Sequence, residues 1–218
     1  MSNSPDKTGS DLLVLHTLRC MGHATIDRIA AALDPSGARM SESDVESELI
    51  DLAVAGLVTR STGEFGGGWN LTGDGRVADA DRIAAELDAS GARAVITKAF
   101  EDFLVLNPEL LDLCSAWQMR PVGGTARMND HTDAAYDSRV LARFTEFHQR
   151  AVAVCSVLTS ALSRFGRYQI RLGDALAHAE AGRLDYLTDR MDSYHSTWFQ
   201  LHEDLLTTLG IPRDHQFG

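Results

Sequence analysis

Residues 24–76 run ATIDRIAAALD (24–34), PSGARM (35–40), SESDVESELIDLAVAG (41–56), LVTRS (57–61), TGEFGGG (62–68), WNLT (69–72) and GDGR (73–76). The first segment places Ile26, Ile29, Ala30 and Leu33 on one face at helical spacing, which predicts a short amphipathic helix. Pro35 and Gly37 then break it. Ser43 and Glu46 fit the S-x-x-E pattern of a capping box, so a second helix is expected over 41–54. Its apolar positions Val45, Leu49, Leu52 and Ala53 recur at steps of three and four, and Gly56 suits the helix exit. LVTRS and WNLT are β-type runs joined by a Gly-rich link, the pattern of a hairpin. Thr72 precedes a further helical run and is placed to cap it.

Working outward, DLLVLHTLRC (11–20) forms an apolar helix before this block, with His16 expected half-buried beside a greasy stripe. Residues 1–10 are polar and are expected to form a disordered tail. After Gly91 the pattern becomes uniformly helical. ARAVITKAFEDFLVLN (92–107) is amphipathic, and Asn107-Pro108 is expected to end or kink it before a short helix, ELLDLCSAWQM (109–119). RPVGGTARMND (120–130) reads as an irregular connection. Long helices follow over roughly 132–165, 167–182 and 184–209. The expected architecture is mainly α: a winged helix-turn-helix with a small two-stranded wing over 11–90, then an all-α bundle over 91–213.

The chain has 218 residues, 44% hydrophobic and 23% charged, enough to build a core. No apolar run reaches the roughly 18 residues that span a bilayer, and the first residues lack the apolar segment of a secretory signal. Cys20, Cys114 and Cys155 are widely spaced among apolar residues, which predicts reduced, buried thiols in a cytoplasmic protein. Net charge is −11. Residues 1–90 hold 15 acidic against 7 basic side chains, a balance of −8. That is the reverse of the basic footprint that phosphate binding demands.

Two resemblances follow from particular residues. Gly56-Leu57-Val58-x-Arg60 and Leu71-Thr72-x-x-Gly75-Arg76, in the element order above, resemble the DNA-binding domain of MarR- and PadR-type transcriptional regulators. The resemblance implies DNA as partner and a homodimer. It points to Arg39, Ser41, Ser43, Ser47, Arg60, Gly67 and Arg76 as the groups that meet bases or phosphates. The expected recognition helix, however, offers Glu42, Asp44, Glu46, Glu48 and Asp51 outward and contains no Lys or Arg. In the second half, WQMRP, NDHTDAAYD, RYQIRLGDALAHAEAG and SYHSTWFQLHEDLLTTLG resemble a helical module that follows a winged helix in some actinobacterial-type proteins. Some of those are linked to phosphoenolpyruvate-utilising, pyruvate phosphate dikinase-like enzymes, which implies a regulatory or docking role.

Within the bundle, Trp117, Asn129, His131, Tyr136, Arg171, Tyr194, His195 and Trp198 are polar-aromatic residues set into apolar helices. They could converge on a small ligand or simply satisfy one another and cap helix ends. HEDLL (202–206) lacks the second His of a zinc-protease motif, and His195 and His202 stand two turns apart, too far to share one zinc. The sequence carries no G-x-S-x-G, Walker or Rossmann pattern. No catalytic residue, cofactor or metal is therefore expected. The primary expectation is a transcriptional regulator, and the alternative is a winged-helix adaptor that docks on a partner enzyme.

Overall fold

The computed structural model describes residues 8–33, 40–62 and 67–212, so Pro35, Gly37 and Arg39 lie outside the described residues. So do residues 1–7, which make up most of the expected tail. The chain is mainly helical, with two small antiparallel sheets. Its first unit runs α1 (Ser10–Met21), β1 (His23–Ala24), α2 (Ile26–Leu33), α3 (Glu42–Val54), β2 (Val58–Ser61), β3 (Gly68–Leu71) and α4 (Gly73–Ser90). The second runs α5 (Arg93–Gln118), β4 (Met119–Val122), β5 (Thr125–Met128), α6 (Ala134–Ala161), α7 (Gly166–Glu180) and α8 (Tyr194–Leu209).

The expected two-stranded hairpin is β2 paired with β3, and β1 adds a third strand to its sheet, in the order β1-β3-β2. The added strand is the two-residue β1, which sets His23 opposite Asn70 and Ala24 opposite Trp69. Two residues carry too little alternation to be read from sequence. The capping box of α3 also differs: Ser41 and Asp44 form it, two residues upstream of the expected pair. The Asp44 N–H donates to Ser41 Oγ at 3.2 Å, and the Ser41 N–H donates to Asp44 Oδ2 at 2.9 Å. Because the helix starts at Glu42, Asp44 occupies the third helical position, and its short carboxylate reaches back as Glu would.

The exit of α3 and the start of α4 interlock. The Leu57 N–H bonds the Leu52 carbonyl at 2.9 Å while Gly56 takes φ 75°, a left-handed helix stop. Thr72 donates its hydroxyl to the Gly56 carbonyl at 2.7 Å and accepts the Gly75 N–H at 3.0 Å. A Cβ on Gly75 would stand 1.9 Å from the Leu57 carbonyl oxygen, so any larger residue there forces the backbone apart. The core beneath is made by Leu15, Leu18, Ile29, Leu33, Val45 and Leu49, all with no exposed surface. At roughly 1.5–3 kcal/mol for each fully buried aliphatic side chain, this apolar contact holds the unit together.

In the second unit α5 runs on through Pro108 as one helix and does not end there. Pro108 cannot donate to the Leu104 carbonyl, but Leu104 and Pro108 both lie on the exposed side, where water can take that bond. The expected irregular connection is a second hairpin, pairing Met119 with Met128 through Val122 with Thr125. Gly123 and Gly124 take φ of 59° and 82°, the two positive values that a tight primed turn needs. Pro121 and the lack of a buried face hid this hairpin in the sequence. The last expected helix splits, with a 3-10 turn at Leu184–Tyr186 before α8, which Ser193 caps. The bundle core is aromatic: Trp198 stacks on Phe103 at 4.4 Å and meets Phe147 edge-on at 5.3 Å. Among the described residues no helix is long and apolar enough to cross a membrane.

Candidate functional site

Three sets of side chains carry functional chemistry, on the face of α3, at the end of α5 and along the line where the two units meet. On α3, Val45, Leu49 and Leu52 are buried, which turns Glu42, Ser43, Asp44, Glu46, Ser47, Ile50 and Asp51 to solvent. Glu48 is half-buried, and its carboxylate accepts the Ser10 hydroxyl at 2.6 Å, tying α3 to the start of α1. Ser41 is engaged in its own cap and holds Asp44 well ionised by hydrogen bonding. Arg60, Gly67 and Arg76 are exposed on β2, before β3 and on α4, respectively. Arg60 faces Trp69 across the strand pair. Arg60 and Arg76 are the two cations, of those expected to meet phosphate, that the described residues include.

The eight polar-aromatic residues of the bundle do not converge on one place. Trp117, Asn129, His131 and Tyr136 gather at the end of α5. Asn129 donates to the Trp117 carbonyl at 3.0 Å and to Asp137 at 2.7 Å, and His131 Nδ1 lies 3.0 Å from Asp137. The Tyr136 hydroxyl donates to the Ala116 carbonyl at 2.8 Å. These bonds serve the carbonyls that a helix leaves open at its C-terminus. His131 holds φ 56°, a conformation uncommon outside glycine, and packs its ring 4.8 Å from that of Trp117. Tyr194 and Trp198 lie in the aromatic core, bonded to His148 at 3.1 Å and Asn107 at 3.0 Å. Burial lowers the pKa of the His148 and His195 rings, which favours their neutral forms. Arg171 stands apart from all of these, donating to Gln200 at 2.7 Å.

The third set was not legible in the sequence. Asp204 on α8 is fully buried and gathers five partners. One oxygen takes Arg164, His16 at 3.0 Å and Thr208 at 3.1 Å; the other takes Arg167 at 3.0 Å and Tyr168 at 2.8 Å. His16 on α1 is fully buried, not half-buried as expected, and its second nitrogen lies 3.0 Å from Asp79 on α4. Arg164 also bonds Glu86 at 2.8 Å, and Arg167 bonds Thr17. Helices α1 and α4 of the first unit are thus clasped to α7 and α8 of the second.

With a carboxylate facing each ring nitrogen, His16 donates from both and is an imidazolium. Burial alone would neutralise it, but Cys20, Asp204 and Asp79 outweigh burial and hold its pKa well above 6.5. Burial likewise would raise the Asp204 carboxyl, yet Arg164, then His16 and Arg167, keep it well below the usual carboxylate range. Three carboxylates, Asp79, Glu86 and Asp204, then meet three cations, Arg164, Arg167 and His16. The charges close.

No protein-family profile, no curated protein and no solved structure matches the chain. Function therefore rests on what the side chains can do. His16 Nε2, the Cys20 sulfur and the Asp204 carboxylate lie within 4.8 Å of one another, the spacing of metal ligands. Both Asp204 oxygens are already held by guanidinium groups, and a dication there would sit against Arg164 and Arg167. The donor set fits a structural clasp better than a metal. The three cysteines are free and buried, and burial pushes the Cys114 and Cys155 thiols up to about 12, which makes them poor nucleophiles.

Proposed function

We propose that residues 8–91 form a winged helix-turn-helix and that the protein is a transcriptional regulator. In this reading α3 faces the major groove, and the β2–β3 hairpin follows the neighbouring phosphates. The bundle supplies dimer contacts and carries the regulatory input. The observation that supports the reading is topological: α1-β1-α2-α3-β2-β3-α4, with strands ordered β1-β3-β2, leaves α3 outward beside a hairpin. Ser43, Ser47, Arg60, Gly67 and Arg76 are then the described groups placed to touch DNA, with Ser41 at the helix N-terminus. With so few cations, non-specific affinity falls at the weak end, about 10⁻⁴ M or weaker, so specificity must come from base contacts and helix N-terminal amides.

One observation favours the adaptor instead. Glu42, Asp44, Glu46 and Asp51 are exposed on α3 with no cation among them, a surface that complements a basic protein patch. Repeated enrichment of a randomised duplex pool on the full chain separates the two readings. The regulator yields a recurrent motif with two-fold symmetry. A pool that stays random through successive rounds overturns it and leaves the adaptor.

A further inference from the structure

Between the two units lies a cleft of about 790 Å³, walled by α2 on one side and by α7 with the 186–192 segment on the other. Its charges are unequally satisfied. Arg190 is engaged with Asp192 at 2.8 Å and Asp185 at 3.3 Å and covers the Tyr186 ring at 4.4 Å. Asp189 accepts the Thr188 hydroxyl at 2.9 Å, and Asp27 is held by Thr25. Three other groups are left over. Nη2 of Arg28 is buried with no hydrogen-bond partner among the described residues. Arg171 is half-buried and has only the neutral Gln200 amide as a bonding partner; burial pulls its pKa down to about 10, the mark of an undercompensated cation. Asp174, one turn beyond Arg171 on the same face of α7, has no hydrogen bond or ion pair among the described residues.

Arg28 lines the cleft with no side-chain hydrogen bond or ion pair among the described residues and Arg171 with one, and a planar oxyanion is the acceptor that guanidinium geometry fits best. A plain anion is nevertheless poorly suited to this cleft. Its lining holds three arginines against Asp27, Asp174, Asp189 and Asp192, so one carboxylate is in excess. A ligand that brings both signs removes that conflict. Met21, Ala31, Ala32 and Ala175 give the same cleft an apolar wall.

We propose that this cleft binds a small zwitterion of the α-amino-acid class, its carboxylate on Arg28 and Arg171, its ammonium on Asp174, and its apolar side chain against Met21, Ala32 and Ala175. The ligand bridges α2 of the first unit and α7 of the second. The site does not depend on whether α3 meets DNA or protein.

The test uses the full chain and the common L-amino acids, screened by thermal shift, with the best taken to isothermal titration. The expected result is saturable binding by at least one amino acid with an apolar or aromatic side chain. Its analogue without the ammonium, 3-phenylpropanoate in the case of phenylalanine, should bind about tenfold more weakly. Arg28→Gln and Arg171→Gln should each weaken binding about tenfold or more. Asp174→Asn changes an exposed residue and leaves the fold intact; it should weaken the amino acid and leave 3-phenylpropanoate unchanged. Saturation by none of the amino acids up to about 10 mM, a range that captures even weak ligands, overturns the proposal. So does binding that ignores Arg28→Gln and Arg171→Gln in variants that keep the parent's circular dichroism and melting temperature, or equal affinity for 3-phenylpropanoate.

Discussion

The clasp around Asp204 and the outward face of α3 are both rich in charge, and they treat it in opposite ways. At the clasp, three carboxylates and three cations each meet a named partner, and all but the half-buried Glu86 are closed off from solvent. On α3, the exposed carboxylates make only local bonds or face solvent. Charge that is buried and matched fixes how the two units are joined. Charge that is exposed and unmatched is what a partner meets. The contrast also separates what mutation should do to stability from what it should do to binding.

The largest effect is expected at the clasp. Asp204→Asn keeps the shape but leaves Arg164 and Arg167 short of a counter-charge in a buried site, which should cost about 3–5 kcal/mol. Glu46→Gln on α3 should leave the denaturant midpoint unchanged. Urea unfolding of both variants checks this, and similar midpoints would erase the distinction.

A second effect follows from His16. Its folded pKa is raised, so its contribution is fully present below about 6.5, its value in an unfolded chain, and is lost as pH rises through the folded value. Asp204 works in the other direction. Its stability is present above the ordinary value of 3.8 and is lost only as pH falls through its depressed folded value. The chain should therefore weaken on the alkaline side by about 1.4 kcal/mol for each unit by which the His16 pKa is raised. His16→Gln should be less stable near neutrality and flatter across that window. An alkaline limb equally steep in the variant would place the titrating group elsewhere.

These two regions also mark how far the sequence could be read. The first unit was legible because its signals are local. Gly56, Thr72 and Gly75 each do their work within a few residues or across one hairpin, and the period of 42–54 gives the buried face of α3 directly. The carboxylates on the opposite, outward face of α3 were visible for the same reason. The clasp was not, because His16 meets Asp79 across 63 residues and Thr17 meets Arg167 across 150. A faint trace was present: Asp204 stands one turn from Leu201 and from Thr208 on the stripe that α8 buries, a place where a carboxylate must find partners. Reading HEDLL as a failed zinc motif drew attention to His202 and away from Asp204. The bundle's polar-aromatic residues stand out in apolar helices, but sequence spacing does not say that they serve separate places.

A smaller effect is expected at the hairpin, where Arg60 is the exposed cation on β2. If it meets a phosphate, Arg60→Ala should weaken DNA binding and reduce the salt slope by about one, with no change in the unfolding midpoint. Glu46→Lys should move binding the other way. Glu48 is the poorer choice for this reversal, because its bond to Ser10 makes any change there structural as well.

The regulator reading is tested most directly by fluorescence anisotropy, titrating the full chain into labelled duplex DNA flanking its own coding sequence at about 20–50 mM salt, where phosphate attraction is least screened. The reading predicts saturable binding to this DNA, tighter than to a scrambled duplex of the same length and weakened by Arg60→Ala. An anisotropy that stays flat for both duplexes would contradict it and make the acidic face of α3 a surface for protein.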